Sequence, residues 1–107
     1  MQTFPKKQLS VICERPILAR LRKILDQQVN QQNVSGYTIL PALAGRGAQG
    51  SWDHDGMLGD TGQMVHLVCI LDEIHCNAVL EQVFELVGHQ IGIITVQDVA
   101  VVRPAHF

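Results

Sequence analysis

The sequence of 107 residues has no apolar run long enough to span a bilayer, which excludes a hydrophobic membrane helix as its organising element. It has no excess of positive charge. Eight Lys+Arg stand against ten Asp+Glu, a formal charge of −2 at pH 7, so a nucleic-acid-binding surface is not expected. No CxxC is present, and Cys13, Cys69 and Cys76 cannot all pair within the chain, which points to a reduced, cytoplasmic setting. No secretion signal is read at the start, because the apolar stretch that begins at Leu9 soon meets Glu14 and Arg15. Charged residues make up only 17% and hydrophobic residues 47%, which is too apolar for a disordered chain. The length suits one domain. A domain of about 100 residues buries only roughly two thirds of the surface its unfolded chain exposes. The apolar residues here exceed what one protomer is expected to hide, so an oligomer is expected.

Leu9 to Cys13 reads as a short buried strand. Pro16 then suits the first turn of a helix, where its missing N–H would have no partner. Ile17, Leu18, Leu21, Ile24 and Leu25 recur at helical spacing, with Arg20, Arg22, Lys23 and Asp26 on the solvated side. Gln27 to Gln32 is polar and is expected to carry the helix end and a loop. Val34 to Leu40 restarts as a second strand, and Gln63 to Leu71 is a third. Asp72 is placed to cap the helix that follows, with Glu73 in its first turn. Val79, Val83, Leu86 and Val87, joined by Cys76, Leu80 and Phe84, form its apolar face, and Gly88 ends it at a C′-like position. Ile91 to Val96 is a fourth strand that resumes at Val99 to Val102 after Gln97-Asp98. The order β-α-β-β-α-β predicts an α+β ferredoxin-like fold over residues 1–107. Helices cover one face of such a sheet. The other face is apolar here and is expected to pack on further copies in a closed ring.

Six glycines fall between Gly45 and Gly62, and long glycine-rich loops in small domains are usually functional or disordered. Gly45-Arg46-Gly47-Ala48-Gln49-Gly50 satisfies GxGxxG, but no helical pattern follows it, so a dinucleotide-binding turn is rejected. Glycine amides at Gly45 and Gly47 beside the guanidinium fork of Arg46 remain suited to a phosphate or small anion. The bland alternative is a flexible hairpin. Asp53, His54, Asp55 and Asp60 could ligate a metal, yet they lack the spacing of an established site, so no metal is assigned. His66, within a strand, reads as a satisfied core or interface residue. Cys13 and Cys69 read as small hydrophobes. No nucleophile–base arrangement emerges, and an enzyme is not expected.

Three stretches then carry a resemblance: Gly36-Tyr37-Thr38 leading into Ala44-Gly45-Arg46-Gly47, the long loop after it, and Val96-Gln97-Asp98-Val99. In this order they resemble the PII signal-transduction superfamily over Lys7 to Arg103. The glycine-arginine-glycine turn after GYT is similar to the branch linked to inorganic carbon, which includes carboxysome-associated PII proteins and SbtB-like regulators of bicarbonate transporters.

The resemblance implies a homotrimer with adenine nucleotide bound in clefts between subunits. It also implies a mobile T-loop, Ala44 to Gly62, that engages an unidentified protein partner. Carried over residue by residue, Gly36 and Thr38 line the nucleotide cleft, and Arg46 with Gly47 meets phosphate. Gly88, His89 and Gln90 form the phosphate-facing loop, and Arg103 is a C-terminal phosphate ligand. The chain departs from the nitrogen-regulatory members at Gly88-His89-Gln90, where they have a lysine, and at Val101, where they have an arginine. Two phosphate-neutralising cations are thus missing, which favours ADP or AMP over ATP. No glutamine corresponds to the one that binds Mg-ATP and 2-oxoglutarate there, and the loop has no tyrosine for uridylylation. The leading expectation is an adenylate-binding regulator in carbon assimilation, with bicarbonate as a second ligand at Gly45, Arg46 and Gly47. The alternatives are a regulator of a membrane bicarbonate transporter, a metal-binding ferredoxin-like protein using Asp53, His54 and Asp55, and, last, a small enzyme on the same fold.

Overall fold

Strand β1 (Phe4–Glu14) alternates along its second half, with Leu9, Val11 and Cys13 fully buried between half-exposed neighbours. That period of two marks a strand with one face against helices. The chain is seen in a computed structural model that describes residues 1–48, 50–53, 64–105 and 107. β1 is longer than the apolar stretch suggests because its polar residues find partners across the sheet. Lys7 pairs with Asp98, and Gln8 Nε2 donates to Gln97 Oε1 at 3.4 Å.

A single 3-10 turn, Arg15–Ile17, holds Pro16 and leads into α1 (Leu18–Asn30). The turn buries Ile17 and the helix buries Leu21 and Leu25, as their spacing requires, and the helix ends at Asn30 within the polar stretch from Gln27 to Gln32, as expected. Gln28 is buried on its inner face, where Asn33 Nδ2 donates to Gln28 Oε1 at 2.9 Å. The end is a Schellman turn: Asn33 N–H bonds Gln28 O at 2.9 Å, and Gln32 N–H bonds Val29 O at 3.0 Å. Gln32 holds the left-handed position, φ 64°, that glycine usually takes.

β2 (Val34–Ala42) is followed by a two-stranded ribbon of β3 (Ala44–Gly47) and β4 (Gly50–Asp53). The chain then returns as β5 (Met64–Leu71), α2 (Glu73–Val87) and β6 (Gly92–Val101). The main sheet is antiparallel with order β2-β5-β1-β6, and both helices pack on one face. This is the α+β ferredoxin-like fold.

Four local expectations need correction. Asp72 occupies the N-cap of α2, but its carboxylate binds Lys6 and makes no cap bond. Phe84 does not join the buried face; it is 60% exposed, while Cys76, Val79, Val83 and Val87 fill that face. Gly88 is a right-handed C-cap, φ −59°, and not a C′ turn. β6 is one uninterrupted strand, because Gln97 and Asp98 face Gln8 and Lys7 in register.

On the face away from the helices, the registers line up residues in rows across all four strands. One row is Leu40, His66, Ile12 and Ile93; the next is Thr38, Val68, Ser10 and Thr95; a third is Gly36, Ile70, Gln8 and Gln97. Leu40 and Ile93 are 48% and 57% exposed, so this face carries apolar side chains that one protomer leaves uncovered.

Candidate functional site

Gly36, Tyr37 and Thr38 sit at the β2 edge of the sheet, and their alternation sorts their roles. Tyr37 points to the helices, where its hydroxyl donates to Asp26 Oδ1 at 2.5 Å. The same hydroxyl lies against Arg22, and this contact holds the guanidinium above its usual range. Tyr37 therefore ties β2 to α1. Gly36 and Thr38 fall on the open face, Thr38 exposed and Gly36 buried.

What buries Gly36 is Phe107. A methyl group at Gly36 would lie 2.3 Å from Cδ1, 2.5 Å from Cγ and 2.9 Å from Cε1 of Phe107. The ring thus rests directly on the glycine backbone. Sequence reasoning missed Phe107. The available signal was Gly36 itself, since glycine inside a strand marks a place where something approaches closely.

Gly45, Arg46 and Gly47 belong to the ribbon, opposite Trp52, Ser51 and Gly50. The hairpin alternative is right for the backbone, but the root is a paired strand and not an irregular loop. Successive amides of a strand point to opposite sides, so the three N–H groups cannot converge on one anion. The arginine side chain and every second amide are what this turn can offer. Arg46 is exposed, and a methyl group at Gly47 would meet nothing within 4 Å. The rest of the loop, including His54, Asp55 and Asp60, lies outside the described residues. Among the described residues, no three His, Cys, Asp or Glu side chains are grouped to hold a metal.

Gly88, His89 and Gln90 follow α2 at the other edge of the sheet, all exposed. Gly88 and Gln90 line an apolar cavity of about 560 Å³ between α2 and β6, with Leu80, Phe84, Ile94 and Val96. Arg103 is exposed two residues past the end of β6. The fold therefore gathers the candidate residues into two groups. Gly36, Thr38, Arg46 and Gly47 attach to the β2 edge, while Gly88, His89, Gln90 and Arg103 attach to the β6 edge. Two strands lie between, which sets the edges about 14 Å apart at the usual strand spacing. One chain holds the candidate residues in two separate groups.

The remaining reactive groups are quiet. The three cysteines are free and buried; burial pushes the Cys13 thiol up to about 11 and the Cys69 thiol up to about 12, and raises Cys76 as well. Lys7 is raised by its hydrogen bond to Asp98, then by Asp98 and Glu73 as nearby charges. His66 departs from expectation. Its Nε2 is buried with no hydrogen-bond partner among the described residues, so it is not a satisfied core histidine. Its place in the middle of the open face leaves the interface reading standing.

Residues 6–106 match the protein family described as Nitrogen regulatory protein P-II. A search of curated protein sequences finds no match. Among solved structures, the chain is similar to CPII, a nitrogen regulatory PII-like protein from Thiomonas intermedia. That structure, with ADP, AMP and bicarbonate bound, gives TM-score 0.80 and 25% identity over 96% of this chain and 93% of that one. CPII bound to ADP and bicarbonate gives TM-score 0.73 and 28% identity over 96% and 94%. A PII-like signalling protein from Thermus thermophilus gives TM-score 0.72 and 28% identity over 96% and 95%.

Proposed function

The chain belongs to the nitrogen regulatory protein P-II family, and from that premise we propose that it is a regulatory protein that binds ADP or AMP at clefts shared between copies of itself. Bicarbonate is the second ligand, and the reading places the protein in carbon assimilation. One observation carries the ligand class: the likeness, over nearly the whole chain, to CPII structures that hold ADP, AMP and bicarbonate. The division of the candidate residues between two sheet edges supports the shared cleft. A head-to-tail contact brings the β2 edge of one copy to the β6 edge of the next, and such contacts close into rings. Three copies complete the ring in this reading, with the open sheet faces turned inward.

Gly36 and Thr38 line the cleft, Arg46 and Gly47 meet phosphate from the loop root, and Gly88, His89, Gln90 and Arg103 close it from the neighbour. Gln90 and Val101 supply no charge, so two cations face the phosphates where the nitrogen-regulatory members have four. That balance suits ADP or AMP. Bicarbonate is planar and accepts a bidentate guanidinium, which Arg46 provides. Bound ligand changes the surface that the T-loop offers to a protein partner, at the carboxysome or at a bicarbonate transporter.

Calorimetric titration with ADP, AMP and ATP, each with and without bicarbonate, tests the reading. Saturable binding of ADP or AMP at least as tight as that of ATP is expected. Tight, magnesium-dependent ATP binding strengthened by 2-oxoglutarate would place the protein with the nitrogen sensors instead.

A further inference from the structure

The Phe107 ring covers Gly36 on the open face, at the position the proposed function gives to the nucleotide cleft. The ring is 55% exposed, so one of its faces lies on the glycine and much of the rest is open to solvent. Reaching this place requires the chain to cross from the β6 edge to the β2 edge after Val101. Gly36 is in register with Gln97, four residues back from Val101, so the path is a diagonal of about 20 Å, which a fully extended run from Val101 to Phe107 just spans. In the row of Gly36, Ile70, Gln8 and Gln97, Gly36 alone has no side chain to obstruct a ring.

We propose that Phe107 is an intramolecular gate on the nucleotide cleft: its ring occupies the flat surface at Gly36 that a planar adenine base would take, and it must leave for nucleotide to bind. The proposal rests on the adenylate reading above and adds its regulation. Two rings cannot share one glycine surface, so the apparent affinity for nucleotide is the intrinsic affinity scaled by the fraction of chains whose ring is off. The contact is small and half-exposed, so the ring leaves without unfolding anything else. Its departure also frees the segment that carries Arg103, four residues earlier, to turn toward phosphate in the adjoining cleft, the one this chain's β6 edge closes. Nucleotide occupancy is thereby coupled to the position of the segment from Arg103 to Phe107, a second surface by which ligand state is displayed.

The test compares ADP titrations of the full chain and of Phe107→Ala, with circular dichroism and light scattering as controls for fold and assembly. A gate predicts about tenfold tighter binding by Phe107→Ala with unchanged mass. Equal affinity overturns the gate and leaves the adenylate reading standing. Weaker binding by Phe107→Ala overturns it too, because the ring would then be part of the site. If neither protein binds ADP or AMP, the adenylate reading fails and the gate falls with it. A probe of the ring itself gives an independent reading: Phe107→Trp in a Trp52→Phe background, quenched by acrylamide. ADP should increase quenching as the ring is expelled, and unchanged or reduced quenching contradicts the gate.

Discussion

Arg46 shows what a single residue is asked to do in this protein. It is exposed on a short ribbon and contributes nothing to the core, so its removal should not disturb the fold. A charge-assisted contact to phosphate or bicarbonate is typically worth roughly 1.5–3 kcal/mol, or about ten- to a hundredfold in affinity. Arg46→Ala should therefore weaken ADP and bicarbonate binding by that factor while thermal stability stays unchanged. Arg46→Lys should recover only part, since an ammonium lacks the planar fork. An unchanged affinity in Arg46→Ala would remove the loop root from the site. The cysteines make a different prediction. Cys13 and Cys69 titrate near 9.0 when unfolded but are held to about 11 and about 12 in the fold. Above pH 9 the unfolded chain gives up protons that the folded chain keeps, so stability falls as pH rises. The slope is roughly 1.4 kcal/mol per pH unit for each thiol. Lys7, raised above 10.5 when folded, adds to the loss only above that pH. Urea midpoints measured from pH 8 to 10.5 should decline past pH 9, and should decline less steeply in Cys69→Ala, where Cys13 still titrates. Flat midpoints in the parent would contradict the burial account.

At the scale of elements, two backbone positions decide how strands and helices end. Gly92 opens β6 beside Ile12, and a methyl group there would lie 2.2 Å from the Ile12 carbonyl oxygen. Its φ of 158° also lies outside the range that other residues favour. Gly92→Ala should cost about 1–3 kcal/mol through overpacking, read as a lower urea midpoint. Gln32 is the reverse case, because glycine is absent where the Schellman turn needs a left-handed residue. Gln32→Gly should stabilise by about 0.5–1 kcal/mol, and a loss of stability would mean that the side chain has a role. These positions also show how far local pattern reaches. The helices and central strands were legible because Leu21, Leu25, Val79 and Val83 recur at helical spacing, and because Leu9, Val11 and Cys13 alternate. The unbroken β6 was not, since its polar Gln97 and Asp98 are held by Gln8 and Lys7 from the first strand, at the far end of the sequence. Asp72 looked like a cap for the same reason: Lys6, distant in sequence, claims its carboxylate. The site was legible only as motifs. Nothing local in Gly36 or Phe107 reveals that Phe107 lies on the second strand.

The whole molecule raises the question of completeness. One chain carries an uncovered apolar sheet face, a His66 Nε2 on that face with no partner among the described residues, and two groups of candidate residues at opposite edges. A ring of copies answers all of these together, and light scattering should give about three times the 11.8 kDa chain mass. The central claim is that the nucleotide site is finished only by a second copy. Leu40→Asp tests it most directly, because Leu40 is 48% exposed on the open face and belongs to neither group. A buried, unpaired carboxylate should break the assembly without unfolding the protomer. The measurement is ADP affinity and molar mass on the same samples across a protein concentration series, with circular dichroism confirming the fold. The account predicts that mass falls toward a single chain and that ADP binding is lost with it. A folded monomer that binds ADP as tightly as the parent assembly would contradict it.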